Sequence, residues 1–481
     1  MAKKLNRFLA LESEAIVAQN EDGTEGQQSV TTTTDVDVEV STTLPLQQEL
    51  AEIAEDAAEL DEMEEGIEEA EDVQEALESL HAMLGRDATA GGLSQESATY
   101  FQFALNRELN RVGLKNTAPS CEAFGVSQSK LRATTLSQES VGTKIKEVWA
   151  MIVKMVTEFL AKVNEFIQTH ISSAGRMVKS AQGVFEKASK AKGEKKAQTM
   201  KAGAATKLCN KDGKFENVTG GLDDVKTMIN HACGEAATKG AERAKAMADV
   251  LRSFKFTNNM DIYTTLANDV VEAVSTTDDY IKEAGSAFKQ DESIYHAVAG
   301  PVLPGGYAVA TVTVRDDFKD DKAYKDSNKV VQWLTRWAAA QGTVGTVVLK
   351  CVKTSAFGMF KKDIEADYEE VPVASIEDCK AIAKTVEEIG QMIVGYKTKN
   401  DQVQQAIKQL REAGDQFAKN AEAGEGADEG SKTAIKSVLK IVQHVARGSL
   451  NFAKSGISYA TSTGVAALSY AEKSLAQYAS E

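Results

Sequence analysis

The first strong periodicity along the chain runs from Leu46 to Leu84. Leu50, Ile53, Ala57, Leu60, Met63, Ile67, Val73, Leu77, Leu80 and Leu84 recur mostly every three or four residues, the spacing of one helix face. More than half of the residues between them are Glu or Asp, and like charges four residues apart on a helix repel. The predicted acidic helix therefore needs a basic partner, an aqueous face, or both. GRDATAGG (85–92) closes it with glycines. Ahead of it, residues 1–12 read as a short amphipathic helix with Leu5, Phe8, Leu9 and Leu11 on its apolar side. Residues 19–45 are polar, and TTTTDVDVEVSTT fits a disordered arm better than a strand. A further helix is predicted over 97–118, with Tyr100, Phe103, Leu105 and Val112 apolar, and 117–135, holding Pro119, reads as irregular.

After Ser140 the pattern strengthens. Ile145, Trp149, Ile152, Val156, Phe159, Val163 and Phe166 mark the buried stripe of an amphipathic helix, better suited to a core than to a membrane face. Helical periodicity resumes over 221–254 and 259–289. PVLPGG (301–306) is a break, and Tyr307–Val314 (YAVATVTV) alternates as a strand does. One or two more strands are predicted over 344–360, a helix over 330–340 between them, and a short extended piece at EEVPV (369–373). Ser375 opens a capping box with Asp378 in the place usual for Glu, and the helix behind it is predicted to reach about Ala423. AGEGADEGS (423–431) reads as a turn. Residues 432–480, rich in Ala, Ser and Gly, fit either one packed helix or a helical hairpin broken near Gly464. The expected fold is mainly α: elongated amphipathic helices forming bundles, with a small α+β insert.

Composition agrees with helix: 5 Pro, 6% aromatics and 42% hydrophobic residues in 481. The five cysteines, Cys121, Cys209, Cys233, Cys351 and Cys379, are odd in number and widely spaced, which points to a reducing compartment rather than a disulfide framework. The apolar run in MAKKLNRFLALE is too short for a signal peptide, and no stretch reaches the roughly 20 apolar residues that span a bilayer. Charge changes the picture most. Of the net −16, residues 1–139 carry −19 and the remainder +3. Within the remainder, Lys144–Lys201 holds 12 basic and 5 acidic residues. The front is thus either a solvated acidic arm or a prosegment that escorts the rest.

A repeated pentapeptide bears on that choice. LSQES stands at Leu93–Ser97 and again at Leu136–Ser140. A processing protease needs a short exposed motif. A cut after Glu139 would remove the whole −19 segment and leave Ser140 near the expected helix start. The alternative is chance recurrence of loop residues. Other chemistry is sparse. His231 and Cys233 form an HxC pair with Cys209 upstream, but zinc needs four ligands at convincing spacing, so a surface histidine beside a buried cysteine is expected. GEGADEGSK lacks the order of a phosphate-binding loop. No catalytic motif is present, and no enzyme activity, metal or cofactor is expected. Lys187, Lys190, Lys192, Lys195, Lys196 and Lys201 suit either a solvated face or sequence-independent contact with DNA phosphates.

MAKKLNRFLALES resembles the targeting peptide of internal head proteins of T4-like phages, which ends at a Glu cut by the prohead protease; here that bond is Glu12–Ser13. Ser94-Gln95-Glu96 and Ser137-Gln138-Glu139 are similar to sites used by prohead proteases of phiKZ-like giant phages, with Ser97 and Ser140 following the cuts. Residues 118–152 resemble a PSxExF…R…T…E…IKxIW pattern of internal head (inner body) proteins of large myophages, through Pro119, Ser120, Glu122, Phe124, Arg132, Thr134, Glu139, Ile145 and Trp149. Cys121 stands where that pattern has Met or Leu. LPGG (303–306) and IEDCKAIAKTVEEIGQMIVGYK look similar to the group's C-terminal portion. The resemblance implies a non-catalytic virion protein of the phage head interior, made in the host cytoplasm as a precursor and packaged with the genome. Its implied partners are the prohead protease, other capsid and internal head proteins, and packaged DNA bound without sequence specificity. The organisation expected from the periodicities is a targeting peptide and arm (1–48), acidic helix (49–92), remaining propeptide (93–139), helical region (140–300), α+β insert (301–374) and C-terminal helices (375–481). The rival reading is a helical membrane-active toxin or effector with a neutralising propeptide.

Overall fold

The computed structural model describes residues 44–124, 127–210, 213–254, 295–314, 357–361, 369–423 and 429–479. The elements expected over 1–12, 259–289 and 330–340, and the possible strand within 19–45, lie outside them. So does most of 344–360. The chain is mainly helical with small β pieces, as its periodicities predict. It forms two compact units: among described residues the first holds 57–162, and the second holds 44–56 and 163–479.

The acidic helix is α1 (Leu44–Thr89), whose residues from Ala57 onward lie in the first unit. Leu60, Ile67, Ala70, Val73, Leu77 and Leu84 are buried. Gly91 and Gly92, both at φ +96°, turn the chain out of it. Its partners are basic, as its charge demands: Lys162 lies 3.0 Å from Glu59, and Arg111 3.2 Å from Glu69. Such exposed pairs contribute about 0–1 kcal/mol each. The second helix, α2 (Gln95–Arg111), ends seven residues short of the expected 118. Gly113 takes φ +70°, and the Leu114 and Gly113 N–H groups donate back to Leu109 and Asn110 carbonyls at 2.9 and 3.2 Å, closing the helix with a left-handed glycine. Its apolar face also differs from expectation. Ala98, Phe101, Leu105 and Leu109 are buried, whereas Tyr100 and Phe103 are about 70% exposed. Glu108 is buried on this face. Burial alone would raise its carboxyl, but hydrogen bonds from Arg107 and Arg111 outweigh that and hold it below the usual range.

The long helix α3 (Ser127–Lys190) corrects the expectation of irregular chain to 135. It begins thirteen residues before Ser140. Ala133, Thr134, Ser137 and Val141 are buried at helical spacing, but small and hydroxylated side chains hide that stripe from a hydropathy reading. The Thr134 and Thr135 hydroxyls donate to the carbonyls of Lys130 and Leu131 at 2.8 and 3.1 Å, so they do not compete with the helix. Of the expected stripe within this unit, Ile145, Ile152, Val156 and Phe159 are buried, joined by Val148; Trp149 is only half-buried.

In the second unit, α3 continues from Val163 to Lys190. It is followed by β1 (Thr199–Lys201), α4 (Val218–His231), a π-helical turn (Ala232–Ala236) and α5 (Ala237–Ser253). Next come β2 (Tyr295–Val302), β3 (Tyr307–Val314), β4 (Phe357–Lys361) and β5 (Glu370–Pro372). Three helices complete the order: α6 (Ile376–Gly395), α7 (Lys397–Ala423) and α8 (Glu429–Leu475). β2, β3 and β4 form an antiparallel sheet, with a register shift between Ala299 and Val302. PVLPGG makes the β2–β3 turn, where Gly305 takes φ +70°. β5 pairs with β1 rather than with this sheet. The Ser375–Asp378 capping box is present. The helix behind it divides at buried Tyr396 before continuing to Ala423.

α8 is one helix, so the packed-helix alternative holds and the hairpin does not. It packs against α4, α5, α6, α7 and β4, and Ala446, Ala453, Ala460 and Ala467 are buried along it. Gly464 is a notch rather than a break: a Cβ there would stand 2.7 Å from Met177 Sδ and 3.3 Å from Val386 Cγ1. Tyrosines tie the extended pieces down. Tyr459 donates to the Pro304 carbonyl at 2.8 Å, Tyr470 to Pro372 at 2.8 Å, and Tyr478, just past α8, to Ala374 at 2.9 Å.

Candidate functional site

The two pentapeptides occupy unlike backbones. In the first, Leu93 is buried and Ser94 is the N-cap of α2 at φ −71°, ψ 159°. The Ser94 hydroxyl accepts the Ser97 N–H at 3.1 Å and donates toward Ser97 Oγ at 2.8 Å. Gln95, Glu96 and Ser97 follow, exposed, in the first helical turn. Only Ser94 of this copy is extended, and the Glu96–Ser97 bond is exposed at the very start of a helix, where the chain opens more readily than in a helix interior.

The second copy lies inside α3. Leu136 is 44% exposed and Glu139 is exposed, but Ser137 is fully buried. Gln138 lies against Gly85 of α1; a Cβ there would stand 3.0 Å from Gln138 Nε2. Ser140 is half-buried, its hydroxyl 2.8 Å from that of Thr117. The expected exposed helix start at this bond is therefore corrected: Glu139–Ser140 is helical on both sides. The fold also brings the copies together. The Leu93 N–H donates to Thr134 Oγ1 at 2.9 Å, two residues ahead of Leu136. Hydropathy gave no hint of this; the one signal was glycine at helical positions 66, 85 and 142, each facing a large side chain of the opposite helix. Glu12 and Ser13 lie outside the described residues.

The basic segment leaves α3 and runs beside the C-terminal tail. Lys187 Nζ sits 2.9 Å from Glu472 Oε1, and Lys195 Nζ donates to the Val373 carbonyl at 3.2 Å. The Lys192 and Lys196 backbone N–H groups donate to Ala479 and Gln477 carbonyls at 3.1 and 2.7 Å. These contacts draw Lys187 and Lys195 partly inward and leave the side chains of Lys190, Lys192, Lys196 and Lys201 exposed.

His231 corrects the expected surface histidine: it is 8% exposed, its ring 6.0 Å from that of Phe452 on α8. Among the described residues no group of three or more His, Cys, Asp or Glu could hold a metal ion, and no helix is long and apolar enough to cross a membrane. Burial pushes the Cys233 and Cys379 thiols up to about 12 from 9.0 and raises Cys209. Neutral thiols resist alkylation. With Cys351 replaced by Ser, iodoacetamide at pH 8 is expected to modify half-buried Cys121 first, the other three reacting only on unfolding, as peptide mapping would read. Because these folded-state values are raised, the stability they contribute is complete below pH 9 and lost as pH rises toward 12.

The family model for phiKZ-like phage internal head proteins matches residues 35–473 of the chain. No curated protein and no solved structure matches it.

Proposed function

Given that the chain belongs to the phiKZ-like phage internal head proteins and so resides inside the phage head, we propose that it is a structural precursor, made in the host cytoplasm, whose acidic leader is removed by the prohead protease. No catalytic role is proposed for it. The observation that carries the reading is the repeat itself: LSQES stands at Leu93–Ser97, directly behind the acidic helix, and again at Leu136–Ser140, and a cut after Glu139 separates a leader of −19 from a body of +3.

The local structures suggest an order of cutting. Glu96–Ser97 lies at a surface helix start and is cut first. Glu139–Ser140 is cut once α1 departs and its contacts at Gly85 and Gln138 are lost. Glu12–Ser13 is cut independently. The remaining body, net +3, meets packaged DNA at little electrostatic cost. Its exposed Lys190, Lys192, Lys196 and Lys201 make non-specific, salt-sensitive phosphate contacts, and its neighbours are other capsid and internal head proteins.

Intact mass and N-terminal sequencing of the protein from mature particles test this. The expected chain begins at Ser140, with a transient Ser97 form in maturing heads. Glu139→Ala is expected to leave Ser97 as the final start. A mature chain beginning at Met1 removes the reading.

A further inference from the structure

Four contacts set the relation of α1 to α3 within the first unit. Glu59 meets Lys162 at 3.0 Å. A Cβ on Gly66 would stand 3.1 Å from Met155, one on Gly85 3.0 Å from Gln138, and one on Gly142 3.5 Å from His81. As the α1 position rises the α3 position falls by nearly the same amount, so the helices run antiparallel. The leader helix thus lies along the segment of α3 whose inner face is Val141, Ile145, Val148, Ile152, Val156 and Phe159, each no more than 4% exposed. That face spans about 30 Å of helix.

Resting on the processing reading above, we infer that this stripe is the surface through which two copies of the processed chain associate, antiparallel, after the leader leaves. A cut after Glu139 severs α1 and α2 from α3 but leaves every stripe residue on the body. A continuous apolar face of that length does not stay in water. Its spacing of mostly three and four is that of a helix-pairing seam.

Charge selects the occupant. Lys144 and Glu158 flank the stripe on one margin, seven residues to either side of Met151, and seven residues return to the same side of a helix. Two copies crossing antiparallel at Met151 place Lys144 of each against Glu158 of the other, twice by symmetry. A parallel pairing sets Lys144 opposite Trp149 and gains neither pair. Lys144 is already drawn in, its side chain 11% exposed, whereas that of Glu158 is 56% exposed. DNA offers nothing to an apolar face. The leader is therefore a temporary cover that keeps the precursor from associating.

The test uses the full chain with a sequence-specific endoprotease site inserted after exposed Lys115, between α2 and α3. The chain is cut, the leader is removed by anion exchange in high salt, and mass is read by sedimentation. The uncut chain is expected to be a monomer and the stripped chain a dimer at about 10 μM. Glu158→Lys is expected to weaken the dimer about tenfold, and adding Lys144→Glu to restore it. An uncut chain that dimerises equally well overturns the inference, as does a stripped chain that stays monomeric, a leader inseparable without denaturant, or association indifferent to Glu158→Lys. The cut is supplied in vitro, so the outcome is independent of whether the phage protease acts. A mature chain beginning at Met1 would remove the processing reading while leaving the measured association intact.

Discussion

Gly390→Leu is expected to destabilise the second unit by about 2 kcal/mol, lowering the protection of residues 376–395 in hydrogen exchange. Gly390 of α6 faces α3. A Cβ there would stand 2.6 Å from Val178 Cγ2, 3.2 Å from the Ala174 carbonyl oxygen and 3.3 Å from Met177 Cε. A valine methyl has little freedom to yield and a helical carbonyl has less, so a larger side chain must push the helices apart at a cost of about 3 kcal/mol. Leucine regains about 1 kcal/mol through helix propensity, so the clash wins. The internal comparison is Gly183→Ala on α3, where nothing lies within 4 Å of the new Cβ. That change should stabilise by about 1 kcal/mol. Equal effects at the two positions would mean that close helix approach does not limit this core.

Met177 explains why that approach matters. It is fully buried, and its thioether lies against Gly464 of α8 while its terminal methyl lies against Gly390 of α6. A flexible side chain fills the space left by two residues that have none.

How far the fold was legible follows from the same particulars. Leucine and isoleucine at three- and four-residue spacing marked α1, and isoleucine, valine and aromatics at the same spacing marked the middle of α3, because those helices bury one broad face. Strand β3 was legible from its alternation, and the Ser375 cap from its chemistry. Legibility failed where burial is achieved by small or polar residues. Ala133, Thr134 and Ser137 start the buried face of α3 with no hydrophobic signal, so the helix start was misplaced by thirteen residues. On α2, two exposed aromatics outweighed alanine and leucine in the reading and gave the wrong face. His231 is covered because α8 lies over it, a tertiary fact with no local trace. Gly464 showed the same limit in reverse, since a glycine signals both a break and a close approach. For the candidate site, repetition located the pentapeptides, and charge marked the front of the chain as acidic against a near-neutral remainder. The pairing of 85 with 138 and of 93 with 134 is long-range, so neither motif could report that one copy opens a surface helix and the other lies inside α3.

Gly92→Ala is expected to raise the rate at which a glutamate-specific endoprotease cuts Glu139–Ser140 in the folded chain by about 100-fold. Gly92 sits at φ +96°, where an L side chain is strained by about 1–2 kcal/mol. Its Cβ would also meet backbone: Leu131 N and Lys130 C, both at 2.9 Å. Backbone in a helix cannot rotate aside, so the turn that seats Leu93 on Thr134 must lift. Together the two effects cost about 3 kcal/mol. Cleavage of a helical bond requires local opening, and its rate follows the open population when reclosing is fast; each 1.4 kcal/mol is then about tenfold. Gly91→Ala separates the causes. Gly91 has the same φ but nothing within 4 Å, so only strain applies and about a tenfold increase is expected. Mass spectrometry of the digestion time course reads both variants. If Gly92→Ala cuts no faster than Gly91→Ala, the seat of the first pentapeptide on α3 does not guard the second, and the proposed order of cutting loses its structural cause.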